Sequence, residues 1–426
     1  MTETICALAT APGGAIGIIR ISGPQTLEIL SLVFSKDLSG AEPNTIHYGH
    51  IKSATELIDE VLVSVFRAPH SYTGEDSAEI SCHGSRYILS KVLELLVQHG
   101  CRMAGPGEFT QRAYLNGKMD LSQAEAVADL IASSNKATHN IAMSQLRGHF
   151  SSELARLREQ LLKLTSLLEL ELDFSDHEDL EFADRTELLE LARKIDTHIT
   201  HLSQTFETGN ALKNGIPVAI IGAPNVGKST LLNALLGEER AIVSDIQGTT
   251  RDAIEDTIQL GGVTFRFIDT AGIRHTDDQI ESLGIERSIA AAQRARIVLM
   301  MTEPGVPYPD VPTNENQTVI RIENKTEAFQ AKYGIGLDDL RQRLIDAAPK
   351  TADSDIIVTN ARHYEALCRA HEHLLRVIEG LQMQLSGDLL SEDLRLTLDT
   401  LSEITGGLIT PQETLNNIFS HFCVGK

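Results

Sequence analysis

Val218-Ala-Ile-Ile221, then Gly222-Ala-Pro-Asn-Val-Gly-Lys-Ser229, then Thr230-Leu-Leu-Asn-Ala-Leu-Leu236 is the stretch whose reading decides the central fold of this chain. The apolar run reads as a buried strand, the glycines let backbone N–H groups turn inward, and the leucine-rich run reads as a helix ended by Gly237. In that order the loop is a phosphate cradle, because backbone amides and the positive end of the helix dipole both face the anion. Lys228 reaches the β and γ phosphates of a nucleoside triphosphate, and the Ser229 hydroxyl ligates magnesium. A plain glycine-rich turn is the competing reading, and the strand before and helix after the loop disfavour it.

Two further phosphate-sensing segments follow downstream. Gly248-Thr-Thr-Arg-Asp252 offers Thr250 as a second hydroxyl ligand to magnesium, as a switch loop ordered by triphosphate would. Asp252 to Leu260, the Gly261-Gly262 turn and Val263 to Ile268 read as a hairpin that delivers Asp269-Thr-Ala-Gly272. Asp269 supplies a magnesium carboxylate there, and Gly272 an N–H for the γ-phosphate. A later strand, Thr318-Val-Ile-Arg-Ile-Glu323, leads into Asn324-Lys-Thr-Glu327, which is one methylene away from the guanine-reading Asn-Lys-x-Asp. Glu327 keeps the acceptor for guanine N1 and N2 on a longer stem, with an ordinary surface-loop glutamate as the other reading. Gln330-Ala-Lys332 resembles the Ser-Ala-Lys loop that backs the base, but it follows after only two residues, so the usual intervening helix is missing.

Ile273 stands where Ras-like enzymes carry the water-orienting glutamine, and its side chain cannot hydrogen-bond. Glu281 is the candidate replacement, with a solvated acidic run as its alternative. Asn225 offers an oxygen to a monovalent cation that would stand in for an arginine finger, or it simply stabilises the loop.

Working outward, residues 1–118 mix short apolar runs such as Ile16-Gly-Ile-Ile with Gly and Pro punctuation and read as an α/β domain. Leu154, Leu157, Leu161, Leu164 and Leu168, and again Leu188, Ala192, Ile195, Ile199, Leu202 and Phe206, recur at helical spacing, until the period changes near Gly209. Helical stripes return at Leu367, Ala370, Leu374 and Ile378 and at Leu390, Leu394, Leu398 and Leu401. Thr410-Pro-Gln-Glu413 reads as a capping box before a last helix. The expected architecture is multidomain, α/β plus all-α. It comprises an N-terminal α/β domain (1–118), a helical bundle (119–210 and 351–426) and an inserted Ras-like P-loop GTPase domain (211–350).

The 426 residues exceed what one core usually serves, and 42% hydrophobic with 23% charged residues suits a globular protein. No stretch is apolar enough for a membrane span, and the first residues lack a secretory leader, so a cytoplasmic location is expected. Five cysteines form no C-x-x-C pair, which argues against a zinc site or disulfide framework. A formal charge of −22 opposes indiscriminate phosphate binding, so any nucleic acid must be gripped locally or jointly with a partner.

These motifs, with Pro106-Gly-Glu-Phe-Thr-Gln-Arg-Ala-Tyr-Leu-Asn-Gly-Lys118 and Phe422-Cys-Val-Gly-Lys426, make the whole chain resemble the MnmE (TrmE) family of tRNA uridine-modifying GTPases. The resemblance implies that GTP is contacted by Asn225, Val226, Gly227, Lys228, Ser229 and Thr230, by Ser244, Asp245, Ile246, Gln247, Gly248, Thr249 and Thr250, by Asp269, Thr270, Ala271 and Gly272, and by Asn324, Lys325 and Glu327. It implies magnesium on Ser229 and Thr250, potassium on Asn225, Ser244, Ile246 and Thr249, and Glu281 as the water-orienting carboxylate. It further implies a 5-formyl- or methylene-tetrahydrofolate held by Arg20, Glu79, Lys118 and Lys426 in a dimerising N-terminal domain. Cys423 becomes a candidate thiol catalyst, or a small apolar residue at a helix end. Family members act on tRNA as homodimers joined by a flavoprotein, MnmG (GidA), in a heterotetramer, and install an aminomethyl-type or carboxymethylaminomethyl group at carbon 5 of the wobble uridine. A regulatory GTPase without modification chemistry is the alternative function, and an ATPase is a third reading, disfavoured by Asn324-Lys325.

Overall fold

The computed structural model describes residues 3–53, 55–173, 185–239, 256–268, 289–314, 317–350, 352, 355–407, 412–420 and 422–425. They form two compact units, one of residues 1–131, 145–158 and 398–426, the other of residues 132–144 and 159–397.

The first unit is built on a six-stranded sheet of order β3-β4-β5-β2-β1-β6. Its strands are β1 (Ile5–Leu8), β2 (Ile16–Ser22), β3 (Thr45–Lys52), β4 (Leu57–Phe66), β5 (Ser77–His83) and β6 (Arg102–Met103). All pairs are antiparallel except β1 with β6. The period of two decides the faces. Ile19 and Ile21, Val61, Val63 and Val65, and Ala78 and Ile80 point into one core. They meet Leu27, Leu30 and Val33 of α1 (Thr26–Val33) and Leu89, Val92 and Leu96 of α2 (Arg86–Gln98). Residues of opposite parity, Arg20 and its cross-strand partner Glu79 among them, therefore occupy the other face. Helix α3 (Glu108–Leu115) and helix α4 (Leu121–Ala132) follow. Leu121 and Ala124 of α4 share a small core with Leu415, Phe419 and Phe422 from the end of the chain.

Three more helices lead toward the second sheet: α5 (Lys136–Leu146), α6 (His149–Asp173) and α7 (Arg185–Asn214). In the second unit the strands β7 (Ile216–Gly222), β8 (Asp256–Leu260), β9 (Val263–Phe267), β10 (Ile297–Thr302) and β11 (Thr318–Glu323) form a sheet of order β11-β10-β7-β9-β8. It is parallel except for the β8–β9 hairpin. Helix α8 (Lys228–Glu239) and helix α9 (Leu337–Ala347) cover it through Leu231, Leu232, Leu235, Leu340 and Leu344. The chain then continues in helices α10 (Ala361–Gln382), α11 (Gly387–Thr405) and α12 (Gln412–Ser420). The α/β part is thus inserted between α7 and α10, which pack along each other. The stripes Leu188, Ala192, Ile195, Ile199 and Leu202 on α7 and Leu367, Ala370 and Leu374 on α10 are buried, and each large side chain contributes about 1.5–3 kcal/mol. Phe206 stacks on Tyr364 with ring centroids 4.5 Å apart, and the Asn360 side chain caps α10 by accepting from the Arg362 N–H at 2.9 Å.

Two glycines mislead the sequence reading. The period changes near Gly209, yet α7 continues to Asn214. A Cβ at Gly209 would collide with the Val358 carbonyl oxygen, so this glycine marks a close approach of backbone and not a helix end. Gly237 likewise lies within α8, facing open space, where its lack of a side chain weakens the helix by roughly 1 kcal/mol without stopping it. The Thr410-Pro411 start of the expected capping box lies outside the described residues. No described helix is long and apolar enough to cross a membrane.

Candidate functional site

The loop after β7 has the geometry a phosphate cradle needs. A Cβ at Gly222 would sit 2.6 Å from the Met301 carbonyl oxygen and 2.8 Å from Val226 Cγ1, so a side chain there would push the loop off the neighbouring strand. Asn225 and Gly227 take left-handed conformations, φ 62° and φ 98°, which turn the chain toward the start of α8. Lys228 bridges the loop: its Nζ donates to the carbonyl oxygens of Gly222 (2.7 Å) and Ala223 (2.9 Å). Desolvation holds its pKa below the ordinary lysine value.

Asn324, at the end of β11, is a buried side chain that joins two loops. Its Nδ2 donates to the Val226 carbonyl at 2.8 Å, and its Oδ1 accepts from the Ala331 N–H at 3.1 Å. Lys325, at φ 64°, donates to the Asn225 carbonyl at 3.3 Å and pairs with Glu303. The loop of residues 222–229, the segment of residues 324–327 and the Gln330-Ala331-Lys332 loop are thereby held as one piece. No helix separates the last two. Thr326 Oγ1 accepts from the Phe329 N–H at 3.0 Å, Gln330 and Ile335 exchange backbone bonds of 3.0 and 3.2 Å, and Ala331–Tyr333 is a single 3₁₀ turn. Glu327 is exposed and makes no ion pair or hydrogen bond with a described residue, so its carboxylate is available to a ligand.

Ser229 and Thr230 lie on the first turn of α8, and Asn225 is exposed on the loop. The Ser229 hydroxyl is half-buried and bonded to no described residue, and with the Asn225 amide oxygen it provides the hard oxygen donors that magnesium and potassium require. Ser244, Asp245, Ile246, Gln247, Gly248, Thr249, Thr250, Asp269, Thr270, Ala271, Gly272 and Glu281 lie outside the described residues. The strand leading to Asp269 is described, and the Ile268 N–H donates to the Val218 carbonyl at 3.0 Å, directing it alongside the phosphate-loop strand.

A second constellation occupies the sheet of the first unit. Arg20 Nε and Nη2 donate to Glu79 Oε1 at 3.0 and 2.8 Å, and Nη1 donates to the Gly425 carbonyl at 3.2 Å. The guanidinium lies 5.5 Å from the Tyr72 ring centroid and 5.6 Å from that of Phe109. The end of the chain is docked there: Val424 bridges Pro106, the Gly107 N–H donates to the Cys423 carbonyl at 3.4 Å, and Gly425 adopts φ 93° against Leu8. Arg20 and Glu79 thus come together. Lys118 is exposed and donates to the Pro69 carbonyl at 2.8 Å, and Lys426 lies outside the described residues. The Cys423 thiol is exposed, against the reading of a small apolar residue at a packed helix end.

Sequence reasoning missed Tyr72, Phe109 and the ion-pair network beneath them. Arg112, 1% exposed, donates to Glu75 Oε2 (3.0 Å), Glu108 Oε1 (3.1 Å) and the Glu3 carbonyl (3.0 Å), and Ser22 Oγ donates to Glu75 at 2.8 Å. The one signal for it was the four-residue spacing of Glu108 and Arg112 on α3.

Two family profiles match the chain, one described as GTP-binding protein TrmE N-terminus over residues 4–118 and one as MnmE helical domain over residues 121–423. The chain is 54% identical to the tRNA modification GTPase MnmE of Bacteroides fragilis (strain YCH46), in an alignment of 464 positions covering 100% of this chain and 99% of that protein. It is 50% identical to the protein of the same name from Porphyromonas gingivalis (strain ATCC BAA-308 / W83), covering 100% and 98%. The first alignment is longer than the 426 residues of this chain and crosses positions the chain lacks. Among solved structures, the cytosolic domain of the T. maritima FeoB iron transporter in its GMPPNP form aligns at 17% identity and a TM-score of 0.23, covering 45% of this chain and 98% of that one.

Proposed function

Because this chain belongs to the MnmE family of tRNA modification GTPases, we propose that it hydrolyses GTP at the loop after β7 and couples hydrolysis to modification of the wobble uridine of tRNA. The observation that carries the nucleotide reading is Asn324, which ties the phosphate loop to the base-reading segment through Val226 and Ala331. Lys228 exchanges its two loop carbonyls for β and γ phosphate oxygens, and the amides of residues 225–230 complete the cradle. Ser229 and Thr250 hold magnesium. Asn225, with Ser244, Ile246 and Thr249, holds potassium, which when bound supplies the positive charge an arginine finger gives elsewhere. Glu281 orients the attacking water in place of the glutamine that Ile273 replaces. Glu327 reads guanine on its longer stem, from a segment that runs to Gln330 without an intervening helix.

The N-terminal domain, residues 1–118, binds a reduced folate at Arg20, Glu79, Lys118 and Lys426 and joins two copies into a homodimer. The folate supplies the one-carbon unit. The Arg20 guanidinium, held by Glu79 and Gly425 between two aromatic rings, gives that site a fixed cation, and the exposed Cys423 is a candidate thiol beside it. Residues 119–210 and 351–426 form the helical domain around the GTPase domain, 211–350. A flavoprotein partner, MnmG, completes the cytoplasmic enzyme that builds the aminomethyl-type group.

The test is GTP turnover in potassium chloride and in sodium chloride at equal ionic strength, with Asn225→Ala alongside. Stimulation by potassium that disappears in the variant is the expected result. Equal, slow turnover in both salts would sink the cation-completed site.

A further inference from the structure

At the amino ends of β7, β10 and β11 an open cavity of about 740 Å³ is lined by Arg266, Arg294 and Arg296 and by one face of α7 carrying Glu207, Asn210 and Asn214. Those α7 positions recur at three- and four-residue steps, so a single helical face turns toward the cavity. The phosphate loop follows the carboxyl end of β7, and the seven residues of that strand put about 20 Å between the two sites. The cavity is therefore a second site, at the end of the sheet that ordinary nucleotide binding does not use.

Its chemistry is distinctive within this chain. Overall the sequence has 59 acidic against 37 basic residues, whereas among the described residues that line it the cavity has three arginines, Arg266, Arg294 and Arg296, against one carboxylate, Glu207. Arg294 donates its Nε to the Ala290 carbonyl at 3.3 Å, and among the described residues neither Arg294 nor Arg296 pairs with a carboxylate. Among the described residues no aromatic side chain lines the space, so they offer no stacking platform to hold a base. What remains is planar guanidinium groups and side-chain amides, the donors that recognise phosphodiester oxygens without reading sequence.

We propose that this cavity grips the phosphate backbone of the RNA substrate, an inference that rests on tRNA being that substrate. An acidic protein repels a polyanion over most of its surface, and a small arginine-lined recess provides a local grip that contacts two or three phosphates. Such a grip predicts modest affinity and a shallow salt dependence.

The experiment is tRNA binding to the full chain by fluorescence anisotropy across a salt series, comparing the parent with R294E/R296E and R294K/R296K. The charge-reversal pair is expected to weaken binding about tenfold or more near 0.1 M salt and to lower the slope of log affinity against log salt by about one to two. The lysine pair is expected to keep most of the affinity. GTP turnover without RNA and the melting temperature should stay at parental values, since both residues are remote from the phosphate loop. Parental affinity and slope in R294E/R296E would overturn the site and leave the tRNA reading intact. Lost binding accompanied by lost stability and turnover would also overturn it, by showing that the arginines serve the carbonyl end of α7. A parent chain that hydrolyses GTP but binds no tRNA at any salt concentration would overturn the site, leaving the tRNA to be gripped by the partner protein.

Discussion

At the carboxyl end of β7 the working groups are mostly backbone, whereas around Arg20 they are side chains and a carbonyl drawn from distant parts of the chain. The phosphate loop occupies a few consecutive residues, and its shape follows from Gly222, Asn225 and Gly227. The Arg20 cluster joins residues 59 apart at Glu79 and 405 apart at Gly425. The first kind of site arises wherever a short segment can turn, and the second exists only when a whole domain has folded and the end of the chain has docked. The two should therefore respond differently to mutation.

The largest expected effect tests whether the sites are independent. Lys228→Ala should lower GTP turnover about 10³-fold or more while leaving reduced-folate affinity unchanged. Loss of both in single-turnover and folate-titration assays would mean that the two regions fail together. Next is the network under Arg20. Arg112→Met removes the arginine partner of Glu75 in a mostly buried setting and leaves Glu108 only Arg102 and the Gly105 N–H, and should cost about 3 kcal/mol in chemical denaturation, a loss that the backbone-built loop has no counterpart for.

This second effect carries a pH signature. Burial works to raise the Glu108 pKa, but hydrogen bonds from Arg102, the Gly105 N–H and Arg112 outweigh it and leave the pKa below the ordinary glutamate value. The stabilisation is thus present above the unfolded-state pKa and lost as pH falls through the lowered one. The gap between parent and Arg112→Met should narrow on acidification, and a gap independent of pH would contradict the assignment.

Smaller effects sharpen the contrast further. Arg20→Ala removes a charge-assisted pair and should weaken 5-formyl-tetrahydrofolate binding about 10- to 100-fold by calorimetry, with GTP turnover intact. A variant that binds folate normally would take Arg20 out of the site. Asn324→Ala should weaken GDP and GTP binding about tenfold through two buried hydrogen bonds. Unchanged affinity would show that the link only braces the loop.

Legibility followed the same division. The cradle and its strand and helix could be read directly, as could the β8–β9 hairpin around Gly261-Gly262 and the buried stripes of α7 and α10. Gly209 and Gly237 were read as helix boundaries because a glycine at a change of period has the same local signature whether it ends a helix or admits a neighbouring carbonyl. Only Val358, far along the chain, distinguishes the two at Gly209. Arg20 and Glu79 are singled out by family resemblance alone, Phe109 and Arg112 enter only as members of the motif from Pro106 to Lys118, and Tyr72 carries no sequence signal.

Residue order alone prescribes the phosphate loop, the alternation of strand and helix in the inserted domain and the amphipathic faces of the long helices. Loop torsions and the 2- and 3.6-residue periods are properties of neighbouring residues. The junction of Asn324 with Val226 and Ala331, the aromatic enclosure of Arg20 and the arginine-lined recess at the start of β7 arise only on folding. Each depends on the packing of segments dozens to hundreds of residues apart, and no local pattern encodes which of those segments will meet.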